Sequence, residues 1–386
     1  MNSNSLGHDP HSPLRIVVRG VNWLGDAILT TPALLRLREC YLDAHICLLS
    51  PEKLKDLWLH HRATSEVISF AAGESPFTIG RRLRARQFDL GLVLPNSPRS
   101  ALELWWARVP RRVGYARPWR NLFLTERVPE PAGIQTMRKR SVGEIRRLTS
   151  ASPRRAGESD LESVSNNPRS HHLYHYLQLV AALGANPDAL QPHLSVTPAE
   201  VDAAARKFGL ANLRGGDRLI FGINPGAEYG PAKRWPIERF IAAAREIGSR
   251  LKCTWLILGG VGDVELAGRI ALGLQTQESA ARNLAGQTSL RELCALLKLC
   301  RLLLTNDTGP MHVAAALNTP VVALFGSTSP ILTAPGLPGD GRHRLLYSSA
   351  PCSPCFRSDC PIDFRCMQEI TVDRVVDAVL AVAARQ

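Results

Sequence analysis

Apolar residues in this chain come in short runs, and the runs alternate with stretches of helical period. Residues 14–19 (LRIVVR) predict a buried strand, and residues 27–40 follow with apolar positions three and four apart. Further strands are expected at 44–49, 67–70 and 88–94, the last stopped by Pro95, Asn96, Ser97 and Pro98. The alternation resumes after Thr197-Pro198-Ala199-Glu200, a helix-start signature. Strands are then predicted at 219–223, 255–258, 282–284, 302–305 and 321–325, with helices at 237–247, 263–274, 290–300 and 312–317. A closing helix over 371–384 puts Val372, Val375, Val376, Val379 and Leu380 on one face.

This rhythm predicts an α/β protein with parallel sheets covered on both faces, built as two Rossmann-like halves with a cleft between them. The expected division is a polar tail over 1–13, an N-terminal domain over 14–192, a C-terminal domain over 193–370 and a final helix over 371–386. The boundary falls in the Pro-rich stretch 187–198. Residues 150–170, poor in apolar side chains, read as a mobile surface loop inside the first domain.

Charge adds a constraint on partners. Among 386 residues there are 47 Lys and Arg against 34 Asp and Glu, a formal net charge of +13, which favours an anionic partner or substrate. The arginines crowd into 99–155, interleaved with Trp105, Trp106 and Trp119. Residues 1–13 lack the apolar core of a leader, and no apolar run approaches the ~20 residues of a membrane span. The expectation is a soluble cytoplasmic protein that rests on a membrane face. Nine cysteines without a leader argue against a disulfide framework.

Three loops at predicted strand ends carry candidate chemistry. Residues 20–26 (GVNWLGD) open the first helix and end in Asp26, a carboxylate at a helix start. Residues 224–236 (NPGAEYGPAKRWP) form a Gly- and Pro-rich turn holding Lys233. A turn of this kind aims backbone N–H groups and a positive charge at one point, which suits a phosphate or diphosphate. Residues 305–312 (TNDTGPMH) bring Asp307, Thr308, Gly309 and His312 to another helix start. The hydroxyl and N–H groups there suit phosphate, and Asp307 suits sugar hydroxyls.

With these residues in hand the chain resembles the bacterial lipopolysaccharide heptosyltransferases of glycosyltransferase family 9, and most of all their type II members. The segments that carry the likeness are VNWLGDAILTTPAL, LVLPNS with a following RVGY, NPGAEYGPAKRWP, NLAGQTSL and TNDTGPMHVAAAL, spread from about residue 15 to about residue 367. The resemblance implies the two-Rossmann GT-B architecture and an inverting transfer of L-glycero-D-manno-heptose from ADP-heptose to a heptose/Kdo-lipid A acceptor. It implies addition of the second heptose, with type I or type III acceptor positions as alternatives. It further implies Asp26 as general base and Lys233 on the diphosphate. Asn224, Gly226, Ala227, Glu228, Gly259, Asp307, Thr308, Gly309, Met311 and His312 would hold the donor in the C-terminal half. Asn22, Trp23, Asn96, Ser97 and Arg120 would face the lipid-linked acceptor in the N-terminal half. The 150–170 segment departs from the family pattern as an insertion. No cofactor is required by this scheme.

Cys352, Cys355, Cys360 and Cys366 crowd into CSPCFRSDCPIDFRC, a spacing that permits a structural Cys₄ zinc but equally suits four unmetallated thiols. Two other classes were weighed. A nucleic-acid-binding protein fits the charge and tryptophans but leaves the three loops unexplained, so no nucleic-acid partner is expected. A dinucleotide oxidoreductase would need a GxGxxG after the first strand, and none is present.

Overall fold

A computed structural model describes residues 13–130, 137–150, 168–213, 216–275 and 280–385. They form two compact units, each around one six-stranded sheet. The first sheet contains β1 (Arg15–Arg19), β2 (His45–Pro51), β3 (Glu66–Phe70), β4 (Leu90–Val93), β5 (Arg111–Tyr115) and β6 (Glu126–Val128). The second contains β7 (Leu219–Asn224), β8 (Cys253–Ile257), β9 (Ala280–Asn283), β10 (Leu302–Asn306), β11 (Val321–Phe325) and β12 (Arg344–Tyr347).

Strand order is β3-β2-β1-β4-β5-β6 in the first unit and β12-β11-β10-β7-β8-β9 in the second, with every pairing parallel. Renumbered from its own first strand, the second sheet has the order of the first. Each is therefore a doubly wound Rossmann-type sheet, with its topological switch point at β1/β4 or at β7/β10. The central strands are buried along their length, as continuous Val/Leu/Ile runs require when helices cover both faces.

Local sequence explains most element ends. Helix Ile237–Arg250 buries Ile237, Phe240, Ala243, Ala244 and Ile247, and Pro236 stands just ahead of it. Helices Pro198–Lys207 and Leu290–Leu299 both start with a capping box, Thr197 with Glu200 and Ser289 with Glu292. The long helix expected over 27–40 is instead two, Leu24–Leu29 and Thr31–Cys40. Pro32 cannot donate an N–H there. The Thr30 and Thr31 hydroxyls donate to the carbonyls of Ala27 and Ile28, both at 2.7 Å, and so compete with the helix ladder.

The expected domain limits need correcting. The first unit runs on to Ser195, three residues past the expected limit, where the His193 N–H donates to Thr31 (3.1 Å). Residues 137–150 join the second, because Ile145 of helix Val142–Ser150 is an apolar residue buried in that unit's core. The final helix, Val372–Ala383, is no separate part: Val375, Val376, Val379 and Val382 lie in the same core. Residues 1–12 and 151–167, which take in the tail and nearly all of the expected loop, lie outside the described residues.

Candidate active site

In the second unit the loops that leave β7 and β10 meet at the switch point, the place where an open α/β sheet binds ligands. The Lys233 ammonium donates to Asp307 Oδ2 at 2.7 Å and to the Asp307 carbonyl at 3.2 Å. Thr328, on the loop after β11, donates its hydroxyl to the same Oδ2 at 2.6 Å. Asp307 is thus a fixed counter-charge that holds the lysine through Oδ2. The two side chains are 14% and 4% exposed, so the lysine, unlike the carboxylate, keeps some opening to solvent.

Buried amides lock the loops to one another. Asn306 accepts from the Trp235 N–H (3.1 Å) and donates to the Pro225 carbonyl (2.7 Å), while Asn224 donates to the Leu258 carbonyl (3.2 Å). Asn224 therefore supports the turn from inside. Gly226 and Gly259 leave room for Asp263: a Cβ at Gly226 would lie 2.3 Å from its carboxylate, and one at Gly259 would lie 2.8 Å from its Cβ. Asp263 in turn accepts from the Gly260 N–H at 3.0 Å and stands 4.0 Å from Arg234. Ala227 and Met311 are buried and Glu228 is exposed. Thr308 precedes helix Gly309–Ala316, whose first turns hold His312, itself buried.

In the first unit the β1 and β4 loops flank the other switch point. Asp26 is half-buried in the first turn of helix Leu24–Leu29, with Asn22 and Trp23 exposed just ahead of it. Tyr176, on helix His172–Ala181, has its phenol pushed well up, first by burial and then by the negative charge of Asp26. Arg19, the last residue of β1, donates to Glu103 at 2.7 Å and to Asn22 Oδ1 at 3.0 Å. Its guanidinium lies 4.4 Å from the centre of the Phe70 ring. Arg120 is not an acceptor-facing residue, because it is 0% exposed. It donates to the Val93 carbonyl (2.8 Å), the Tyr115 carbonyl (3.2 Å) and Asn96 Oδ1 (3.0 Å), and so fixes the ends of β4 and β5. Burial lowers its pKa to about 10, with nearby Arg117 adding to the effect. Asn96 and Ser97 remain exposed.

The profile of glycosyltransferase family 9 (heptosyltransferase) matches residues 154–364. Lipopolysaccharide heptosyltransferase 2 of Escherichia coli K12 is 30% identical over 333 residues, covering 83% of this chain and 85% of that one. The chain belongs to glycosyltransferase family 9. In shape this glycosyltransferase is similar to E. coli ADP-heptose LPS heptosyltransferase II, with a TM-score of 0.74 and 26% identity over 96% of this chain and 99% of that one. It shares its fold with a family 9 glycosyltransferase from Veillonella parvula, at TM-score 0.75 and 22% identity over 97% and 98% of the two chains. These are GT-B enzymes, as the two Rossmann-type sheets require.

The glycosyltransferase's four clustered cysteines do line one small cavity with Ile145 and Ser327. Among the described residues no three His, Cys, Asp or Glu side chains are grouped to hold a metal ion. Burial, reinforced by Cys352, Cys355 and Cys360, pushes the Cys366 thiol up to about 12, so it is protonated at neutral pH. Their loop instead braces the Lys233 turn: the Ala232 N–H donates to the Ser358 carbonyl (2.9 Å) and the Tyr229 hydroxyl to the Phe356 carbonyl (2.8 Å).

Sequence reasoning missed Thr328, Asn306, Asp263, Arg19 and Glu103. Thr328 was within reach, since GSTSP follows a predicted strand just as the three chosen loops do. Arg19 and Glu103 gave no signal, because nothing in their local sequence shows that they meet across 84 positions.

Proposed function

We propose that this glycosyltransferase moves L-glycero-D-manno-heptose from ADP-heptose to a heptose/Kdo-lipid A acceptor of the lipopolysaccharide inner core, adding the second heptose. The observation that carries the reading is the Lys233–Asp307–Thr328 cluster at the second switch point, an anchored lysine with some opening to solvent where a diphosphate would sit. The relatives' names supply the sugar, the nucleotide and the position.

Asp26 is the general base of this scheme. It takes the proton from the acceptor hydroxyl as that oxygen's electron pair forms the new bond at the anomeric carbon. The bond from that carbon to the diphosphate oxygen breaks from the opposite face, and its electron pair leaves with ADP. Lys233 and the N–H groups of the turn act where that charge develops. Thr308, Gly309 and His312 stand at the adjacent helix start to hold the donor. Tyr176 keeps its proton and so does not compete with Asp26 as a base.

Contact with the anionic cytoplasmic membrane face belongs to the same proposal. No helix among the described residues is long and apolar enough to cross a membrane. The first unit exposes Phe77, Trp105, Trp106, Trp119 and Leu122, with Phe77 against Trp106 at 4.6 Å and Trp105 against Trp106 at 6.0 Å between ring centres. Exposed aromatics beside arginines suit a headgroup layer.

Turnover of ADP-heptose on purified acceptors tests the reading. Transfer is expected on the one-heptose acceptor, at least tenfold faster than on the acceptor with none. Equal turnover on both, or turnover only on the heptose-free acceptor, would overturn the assignment to the second position.

A further inference from the structure

The Lys233–Asp307 ion pair and the Arg234–Asp263 approach each set one positive charge against one negative. These two pairs sum to no net charge at the very place where a diphosphate must be held and then released with more charge. A further, uncompensated cation would meet that need. The second unit supplies one from residues 137–150.

Arg138, Lys139 and Arg140 precede helix Val142–Ser150. Arg138 and Arg140 pair with Glu144 at 2.7 and 3.8 Å. Among the described residues Lys139 has no ion-pair partner, and its ammonium sits 5.8 Å from the centre of the Tyr229 ring. The Lys233 ammonium lies 5.1 Å from the centre of that same ring. One aromatic ring thus carries two ammonium groups, one neutralised by Asp307 and one not.

The arrangement is held in place on every side. The Arg140 N–H donates to the Cys355 carbonyl (3.0 Å), and the Arg140 carbonyl accepts from Arg357 (3.1 Å). A further bond runs from the Arg140 guanidinium to the Pro351 carbonyl at 3.0 Å. Ile145, buried in the core, anchors the following helix. On the other side, the Tyr229 hydroxyl is fixed to the Phe356 carbonyl. The backbone next to Lys139 and the ring beneath it are therefore both pinned.

We propose that Lys139, seated on Tyr229, is a second cationic ligand for the diphosphate of the nucleotide donor. This rests on the donor-site reading above. Calorimetric titration of the full-length protein with ADP and with adenosine tests it. Lys139→Ala should weaken ADP about three- to tenfold and leave adenosine within twofold, and Lys139→Arg should recover most of the loss. The dependence of ADP affinity on salt should also become shallower in Lys139→Ala, which a purely structural role would not cause. Tyr229→Leu should reproduce the loss and Tyr229→Phe only part of it. Lys252→Ala, an exposed lysine elsewhere on the unit, controls for net charge and should change nothing. If wild type binds ADP and Lys139→Ala binds it equally well, or loses adenosine in equal proportion, the inference is overturned while the donor site stands. If wild type fails to bind ADP, the donor-site reading falls and the inference with it.

Discussion

Two pairs of opposite charge occupy matching places in the two sheets. Arg19 ends β1 and meets Glu103 on the helix after β4, while Lys233 follows β7 and meets Asp307 after β10. Both pairs bridge the strands at a switch point, both at 2.7 Å. They differ in exposure. Arg19 and Glu103 are 3% and 0% exposed, so no substrate can reach them, and the guanidinium spends its other donors on Gly20 and Asn22. The Lys233 ammonium keeps an opening. The same topological position thus serves as a rivet in one unit and as a binding group in the other. What separates them is solvent access, which decides whether a charge can still be spent on a ligand.

If the first unit uses its rivet only to hold the β1 loop, the chemistry there should belong to Asp26. Asp26→Asn is expected to lower turnover of ADP-heptose by roughly 10²–10⁴-fold and to leave ADP affinity unchanged. Steady-state rates beside calorimetry check both parts. Near-normal turnover would leave Asp26 as a helix-start carboxylate and move the base elsewhere.

The rivet itself predicts a stability effect. Glu103→Ala leaves the Arg19 guanidinium buried without its carboxylate, which should cost about 3–5 kcal/mol in chemical denaturation. Glu103→Gln, which still accepts a hydrogen bond, should cost less. Lys233→Met should show the opposite division, with ADP binding lost and a smaller loss of stability, because the Thr328 hydroxyl still donates to Asp307. Equal stability losses from Glu103→Ala and Lys233→Met would erase the distinction between the pairs.

The parts of this architecture legible in the sequence were those written locally. Buried strands such as β1, β7 and β10 are continuous apolar runs, and capping boxes such as Thr197 with Glu200 announce helix starts three residues apart. Three outer strands were not legible: RRVGY, next to the edge of its sheet, and the edge strands ERV and RLLY are short and carry charges, so their pattern is weak. Lys233 and Asp307 were found because Gly- and Pro-rich turns mark them, but their pairing was not, since 74 positions separate them. Residues 99–155 read as a basic region interleaved with tryptophans. Part of that charge is taken up within the fold, in the surface Arg111–Glu126 ion pair and in the fully buried Arg120.

The smallest expected effect concerns what keeps the second pair aimed. Asp307 Oδ2 receives both the Lys233 ammonium and the Thr328 hydroxyl, so Thr328 limits how far the carboxylate can turn. Thr328 is buried, and valine nearly matches its shape, so Thr328→Val should remove the hydrogen bond with little repacking. A hydrogen bond to a charged carboxylate is worth roughly 1.5–3 kcal/mol, and because Lys233 still pairs with Asp307 only part of that reaches the ligand, about a two- to tenfold weakening of ADP. Thr328→Ser keeps the hydroxyl and should bind as wild type does. Because the first unit has no hydroxyl of this kind on its rivet, a loss in Thr328→Val with recovery in Thr328→Ser would show that the binding pair needs an orienting group that the structural pair does without. Wild-type ADP affinity in Thr328→Val would mean that Lys233 and Asp307 are aimed by the backbone of their own loops, and that the β11 loop only covers them.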